Sequence, residues 1–404
     1  MKKLVTTCLV LLATTLASAD LYQQNRWIEF GLSGMAGASN SYFSITDVLK
    51  THVVIDLRKI AEEMPQNGWN LDAVMDARAF FNLNFGRHFR LGFFSGVEGS
   101  GNVHFSNDLF ALLGKGYNVG ESKDFKIQSN GDIFAVTGFS FATSLYDFGI
   151  TVTPAYVVPI VHIAEAMATV SFTNHANGYT RVEARAPVDI YTIIDMGDND
   201  DGSTSEQIST AVRNGGFDLS LAVERQVLRT LDVGMSVRIP IVPGHLHYRM
   251  ETNMYARFTE SNMLGFLEGT EEQSYEHGVD DVVYSCASVK VHRPFRLGTE
   301  AAWRPFGEWM IFRQELALVV RNPYTSDSHV YPEYSLSAEC SLFNIFTLNT
   351  ATAYRNCVFE QSLGFMINAR LLEIDMGAAF RSADFANSFN YTGAGVFVAV
   401  KVGV

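Results

Sequence analysis

The sequence is short of charge, and it has no apolar run long enough to cross a bilayer as a helix. Only 18% of its 404 residues are charged, against about a quarter in an ordinary soluble domain. With 47% hydrophobic residues, the composition excludes a disordered chain. Beyond residue 20 no stretch free of Asp, Glu, Lys and Arg is longer than 148–164, and that one contains Pro154, Pro159 and His162. A spanning helix needs about 20 consecutive apolar residues, so a helical membrane protein is excluded too. Basic residues are outnumbered, 30 against 43, for a net charge of −13. Such a chain has no electrostatic attraction to nucleic acid. Cysteine is also scarce: apart from Cys8 there are Cys286, Cys340 and Cys357. Their odd number and spacing match neither a disulfide framework nor a zinc site, and they read as small half-buried side chains.

The first 19 residues have the form of a secretory leader. Lys2 and Lys3 precede an apolar segment at 4–16, and Ala17-Ser18-Ala19 makes an A-x-A cleavage site before Asp20. Export and cleavage after Ala19 are expected. Cys8 lies within the apolar segment, too early to become a lipid-modified first residue.

Most of the remaining chain alternates with a period of two, as strands with one apolar face do. Ala77, Ala79, Phe81, Leu83 and Phe85 alternate with Arg78, Phe80, Asn82 and Asn84. In 246–258, Leu246, Tyr248, Met250, Met254, Ala256 and Phe258 share one face, with His247, Arg249, Glu251, Asn253, Tyr255 and Arg257 on the other. The last strand sets Val396, Val398, Val400, Val402 and Val404 against Phe397, Ala399, Lys401 and Gly403. Connections alternate in length as well: those near 86–88, 145–147, 227–229, 304–307, 343–344 and 371 are short. Those at 99–131, 192–216, 260–281, 322–331 and 382–392 are long. Outer-membrane barrels have this short–long rhythm, with the long loops outside, and only a closed barrel satisfies strand backbones in lipid. All long connections fall on one side if 230–259 is one strand kinked near 240–244 and 282–303 is another. The predicted fold is all-β, a transmembrane antiparallel barrel of about 14 strands, within a range of roughly 14 to 16.

The segment 20–75 departs from the strand rhythm. Ser44 and Asp47 resemble a capping box, and 56–64 reads as a helix stopped by Pro65, Asn67 and Gly68. Because its apolar face must be buried somewhere, the segment is expected to be a hatch folded into the barrel. The alternative is a long first external loop. The expected organisation is leader 1–19, hatch 20–75 and barrel 76–404. The acidic stretches 195–206 and 268–281 are expected to be solvated loop tips facing outside, since Asp198-x-Asp200 lacks the glycine and terminal glutamate of a calcium loop.

Chemistry is sparse. Gly31-Leu32-Ser33-Gly34 fails the spacing of a nucleophile elbow, His104-x-Ser106-Asn107 does not make a triad by proximity in sequence, and His245-x-His247 lacks a third metal ligand. No enzyme, cofactor or metal is expected. The polar faces of the strands are more informative. Arg249, Arg257, Arg370, Lys401, Glu251 and Glu360 fall on the predicted lumen side, where charges must be paired or hydrated. They are either an internal ion-pair network or, for one or two arginines, anchors for a ligand's carboxylate or phosphate. Phe80, Phe94, Phe134, Val136, Val157 and Phe397 fall on the same side, an apolar lining that suits a hydrophobic ligand.

In its succession of leader, hatch-like segment and roughly 14 strands, the chain resembles the long-chain fatty-acid transporter (FadL-like) family of outer-membrane barrels. Trp27-Ile28-Glu29-Phe30-Gly31-Leu32-Ser33-Gly34 and Phe81-Asn82-Leu83-Asn84-Phe85-Gly86 resemble distant, spirochaete-type members. The resemblance implies a monomer that passes long-chain fatty acids or other hydrophobic small molecules. It also implies a movable hatch, and an exit through a gap in the wall at a kink such as 151–154 or 239–244. Outer-membrane lipid and the barrel-assembly machinery would be its other partners. A general diffusion porin and a surface adhesin or structural barrel are the alternatives.

Overall fold

The computed structural model describes residues 26–43, 57–64, 68–85, 89–115, 122–174, 180–196, 204–260, 274–279, 283–307, 309–325, 328–343, 345–369, 371–390 and 392–404. Its strands are β1 (Ile28–Asn40), β2 (Trp69–Phe85), β3 (Phe89–Phe105), β4 (Ser122–Leu145), β5 (Phe148–Asn174), β6 (Thr180–Thr192), β7 (Gly216–Leu228), β8 (Leu231–Val242) and β9 (Gly244–Glu260). They continue as β10 (Ser274–Val279), β11 (Val283–Val291), β12 (Phe295–Trp303), β13 (Met310–Arg321), β14 (His329–Leu342), β15 (Phe346–Arg355), β16 (Val358–Asn368), β17 (Leu372–Ser382) and β18 (Gly393–Gly403). The helices among the described residues are α1 (Leu57–Glu63), α2 (Asn107–Lys115) and α3 (Thr204–Arg213). None of them is long and apolar enough to cross a membrane.

Among the described residues, all 18 strands belong to one antiparallel sheet, and 14 of them close a ring. From β1 the ring runs through β2, β3, β4 and β5 to β7, β8 and β12, then through β13 to β18 and back to β1. The wider strand count allowed by the sequence is explained by β6, β9, β10 and β11, which lie beyond the ring. Alternation sorts the side chains: on β1, Phe30 and Leu32 are half exposed on the outside, while Glu29 is buried inside. Met235, Leu316, Leu336, Leu348 and Leu363 continue the outer apolar band, and Asp72, Asp218 and Arg381 point inward and are buried. An apolar exterior around a charged interior, with no open sheet edge in the ring, is a transmembrane barrel. Short connections gather at one end, together with the start of β1 and the end of β18, and long ones at the other.

Two features distinguish the wall. First, β8 and β9 form one long strand bent at Pro243, and β11 and β12 another bent at His292-Arg293-Pro294; β8 pairs with β12 and β9 with β11. Proline removes a ladder donor, so both strands of this hairpin bend at the same level. Second, the partner of β5 is split. Phe148 to Val157 pair with β7, and the strand beyond Val161 pairs with β6. Between them the chain leaves the wall and carries α3. At this break the backbones crowd together: a Cβ on Gly216 would lie 2.4 Å from the Val242 carbonyl oxygen, and one on Gly244 would lie 2.3 Å from the Pro159 ring.

The N-terminal segment differs from its expected role. Ile28–Asn40 is a wall strand paired along its length with β18, and 69–75 opens β2. The wall therefore starts at Ile28 and not at residue 76. The predicted helix is present as α1, but its apolar face (Ile60, Ala61, Met64) is buried by packing against α2. Trp69, on the strand face opposite Asp72, meets Phe110 of α2 with ring centroids 6.1 Å apart. The helix pair thus packs at the long-loop end, against the β2 face opposite Asp72. Residues 44–56, with the Ser44 and Asp47 box, lie outside the described residues.

Candidate functional site: a lumen closed by ion pairs

Inside the barrel, charges are arranged in tiers. At the short-turn end, Lys401 Nζ donates to Glu373 Oε1 at 2.6 Å, and Glu29 receives Arg26 at 3.3 Å and Asn82 Nδ2 at 3.1 Å. In the middle, Arg296 is held by Glu315 and by Glu333 at 3.2 Å, and Arg355 also reaches Glu315 at 3.2 Å. A cavity of about 60 Å³ lies beside this tier, lined by Glu224, Asp232, Glu300 and Arg304 among others. Charged side chains line it, and its volume has room for a few waters.

The third tier, towards the long-loop end, crosses the lumen. Arg293, from the bend between β11 and β12, donates Nε and Nη2 to the two carboxylate oxygens of Glu98 at 2.7 and 2.8 Å, and Nη1 to Asp218 at 2.8 Å. Glu98 is on β3 and Asp218 on β7, strands that are not neighbours of β12 in the ring. Arg293 reaches them because the bend carries the backbone inward. Beside it, Arg321 of β13 binds Asp132 of β4 at 2.7 Å and also Asn130, and His162 of β5 pairs with Asp132 at 2.6 Å. Arg381 of β17 bridges Asp72 of β2 at 2.9 Å and Glu360 of β16 at 3.1 Å. Bidentate arginine–carboxylate bonds are the stronger kind of ion pair. Buried as they are, they are little weakened by salt.

Against this tier lies the apolar cluster. Phe134 and Val136 of β4 and Ala155 and Val157 of β5 are packed by Leu246 of β9 and Val291 of β11, with Phe94 at its margin. Leu246 has no exposed surface at all. The hairpin that supplies Arg293 therefore also seals its own underside against the wall, directly beside the break between β6 and β7.

The structure does not bring the predicted site residues to one place. Lys401 is at the opposite end of the lumen from the cluster. Arg249 lies in β9, beyond the ring, and is held by Asp189 at 2.9 and 3.0 Å and by Glu251 at 3.1 Å. Arg257 stands in register with Glu183 of β6 and Glu276 of β10, also beyond the ring. Arg370 lies outside the described residues. Of the aromatic residues, Phe134 is at the centre of the cluster and Phe94 at its edge. Phe80 and Phe397 instead cover strand glycines: a Cβ on Gly31 would lie 2.2 Å from Phe80 Cζ, and one on Gly377 would lie 2.3 Å from Phe397 Cζ. Both rings pack against the wall itself. A corollary is that Gly31→Ala, whose Cβ would have only Phe80 ring atoms as its nearest neighbours, should destabilise the barrel by about 1–3 kcal/mol through overpacking, with the loss smaller in a Phe80→Ala background. Urea unfolding in lipid vesicles would measure both, and equal losses in the two backgrounds would refute the ring-on-glycine packing.

Sequence reasoning missed Arg293, Glu98, Asp218, Arg321 and Asp132. The available signal was Pro294 beside an arginine, within a strand already read as long. Among the described residues no group of three or more His, Cys, Asp or Glu is placed to hold a metal, and the His247 ring is bonded to Asn214 at 2.8 Å.

The fold and this tier define a transmembrane β-barrel whose lumen is crossed towards the long-loop side by its own paired side chains. No family model matches the sequence, and no curated protein matches it. Among solved structures, the chain is similar to the P. putida toluene transporter TodX at 8% identity, covering 95% of this chain and 91% of that one with a TM-score of 0.46. The CymD monoaromatic hydrocarbon channel matches at 10% identity over 96% and 91% of the two chains, TM-score 0.46. A Pseudomonas aeruginosa FadL homologue matches at 10% over 95% and 91%, TM-score 0.43. Similarity at this level carries no functional argument, and the reading below rests on the barrel's own geometry.

Proposed function

We propose that the protein is an outer-membrane transporter for hydrophobic substrates. The observation that carries this reading is the pairing of a closed lumen with a buried apolar cluster at a break in the wall. An open porin needs a continuous aqueous path, and the Arg293 and Arg321 bridges stand across it. A hydrophobic molecule needs no such path: it can exchange with the cluster around Phe134 and Leu246 and leave sideways where β6 and β7 part. Long-chain fatty acids are the substrate class the sequence resemblance favours. The barring role expected of an N-terminal hatch falls, in this reading, to the kinked hairpin. The leader 1–19 and most of the acidic stretches 195–206 and 268–281 lie outside the described residues; export by the leader and an outward-facing long-loop end belong to this reading.

The test combines two measurements on the refolded mature chain. In planar bilayers it should show little or no steady conductance, and in proteoliposomes it should speed the transfer of a fluorescent long-chain fatty acid across the membrane. A steady ohmic conductance without any gain in fatty-acid or hydrocarbon transfer would make it a porin.

A further inference from the structure

We propose that α3 is an interfacial helix, whose Ile208 and Val212 edge rests in the outer-leaflet lipid and holds the helix as a cover over the break between β6 and β7. This rests on the reading that the barrel spans a membrane.

The helix has three distinct sides. Gln207 and Ala211, one turn apart, are buried, and Gln207 Oε1 accepts the Asp195 N–H at 3.1 Å. Glu206, Ser209, Thr210 and Arg213 are exposed and polar. Between these sides, Ile208 and Val212, also one turn apart, are 42% and 49% exposed. Residues four apart stack on one face of a helix, so the two form a continuous apolar edge with no protein partner large enough to bury it.

The placement of the helix says what covers that edge. Its C-terminal end is clamped to the wall by Tyr156, whose hydroxyl donates to the Val212 carbonyl and accepts from the Gly215 N–H at 2.9 Å. Tyr156 lies on the outward face of β5, between Ala155 and Val157, which point into the lumen cluster. The clamp continues through the Asn214 carbonyl, which accepts the His245 N–H at 3.0 Å. The helix is therefore fixed to the outside of the barrel, at the upper rim of the lipid-facing band, where Phe217 and Ile241 are 37% and 52% exposed. Its apolar edge continues that band. A helix with an apolar edge at the level of the interface and a polar opposite side takes lipid as its partner. The same lipid contact keeps the helix against Tyr156, over the segment where β5 has lost its wall neighbour.

Tryptophan placed at position 208 reads this directly. Ile208→Trp, Val212→Trp, Glu206→Trp and Leu221→Trp chains would be refolded into phosphatidylcholine vesicles with and without brominated acyl chains, and their fluorescence compared with that of the unsubstituted chain. Leu221, on the outer face of β7, reports the lipid belt, and Glu206 reports solvent. The added emission of Ile208→Trp and Val212→Trp should be quenched at least half as strongly as that of Leu221→Trp, with Glu206→Trp unaffected. If both helix variants behave like Glu206→Trp while Leu221→Trp is quenched, the proposal is overturned and the membrane reading stands. If Leu221→Trp is itself unquenched, the membrane reading falls and the proposal with it.

Discussion

Replacing Arg293 by alanine is expected to give the barrel a steady ion conductance and to cost it about 2–4 kcal/mol of stability, because two buried carboxylates lose their hydrogen-bonded cation. Glu98 and Asp218 are held 195 and 75 residues away in sequence by one guanidinium; Arg78 also reaches Glu98, at 3.9 Å, and Arg238 lies near both acids, but neither ties the bend to β3 and β7. The two effects have different origins and can be separated. The ion pair itself adds little net stability, since desolvating three charges offsets most of their attraction. Much of the cost arises from the acids that lose their hydrogen-bonded cation, so Arg293→Met combined with Glu98→Gln and Asp218→Asn should recover part of the loss, and only part because Arg238 then loses its neighbouring acids. Conductance, by contrast, should persist in the triple variant, because the crosslink between the bend, β3 and β7 is still gone. Bilayer recordings and urea unfolding of the same preparations would show this. A silent Arg293→Ala barrel with near-native stability would mean that the bridge does not close the lumen.

The wall was legible in the sequence because it depends on local order. The alternation from Ala77 to Phe85 fixes which side of β2 meets lipid, and the bend near Pro243 is written in the proline itself. What period-2 alternation does not contain is the identity of the neighbouring strand. Residues 246–258 alternate as clearly as any wall strand, yet β9 pairs with β6 and β11 beyond the ring, so Arg249 faces Asp189 and not the lumen. The same limit hid Arg293: its partners are set by ring closure and by the depth of the bend, both products of distant pairing. For α1, helical periodicity correctly required a buried apolar face. An apolar stripe does not specify its partner, however, and α2 serves as well as a lumen would. Alternation places Phe80 and Phe397 on the inner face, but the glycines they cover lie on other strands, which no local pattern specifies.

Leu246 provides the sharper test of the apolar cluster. Leu246→Ala is expected to destabilise the barrel by about 2–5 kcal/mol, combining lost transfer energy with the cavity left behind. The position is fully buried among Phe134, Val136 and Val157, whose own strands are fixed in the wall and cannot collapse into the gap. The resulting space would be lined by apolar groups, and such cavities stay dry and accept small apolar guests. Benzene should therefore raise the unfolding midpoint of Leu246→Ala by mass action on the folded state, and by more than it raises that of the unsubstituted protein. Leu246→Asp supplies the contrast: a carboxylate at this point has no cation facing it within the cluster and must be buried unpaired, so the flap should detach from β4 and β5. Detachment would carry the Arg293 bend away from Glu98, and the variant should conduct ions as Arg293→Ala does, although its arginine is intact. A Leu246→Ala loss below about 1 kcal/mol, with no response to benzene, would place Leu246 outside a closed apolar core. The link drawn between the cluster and the closure of the lumen would then break.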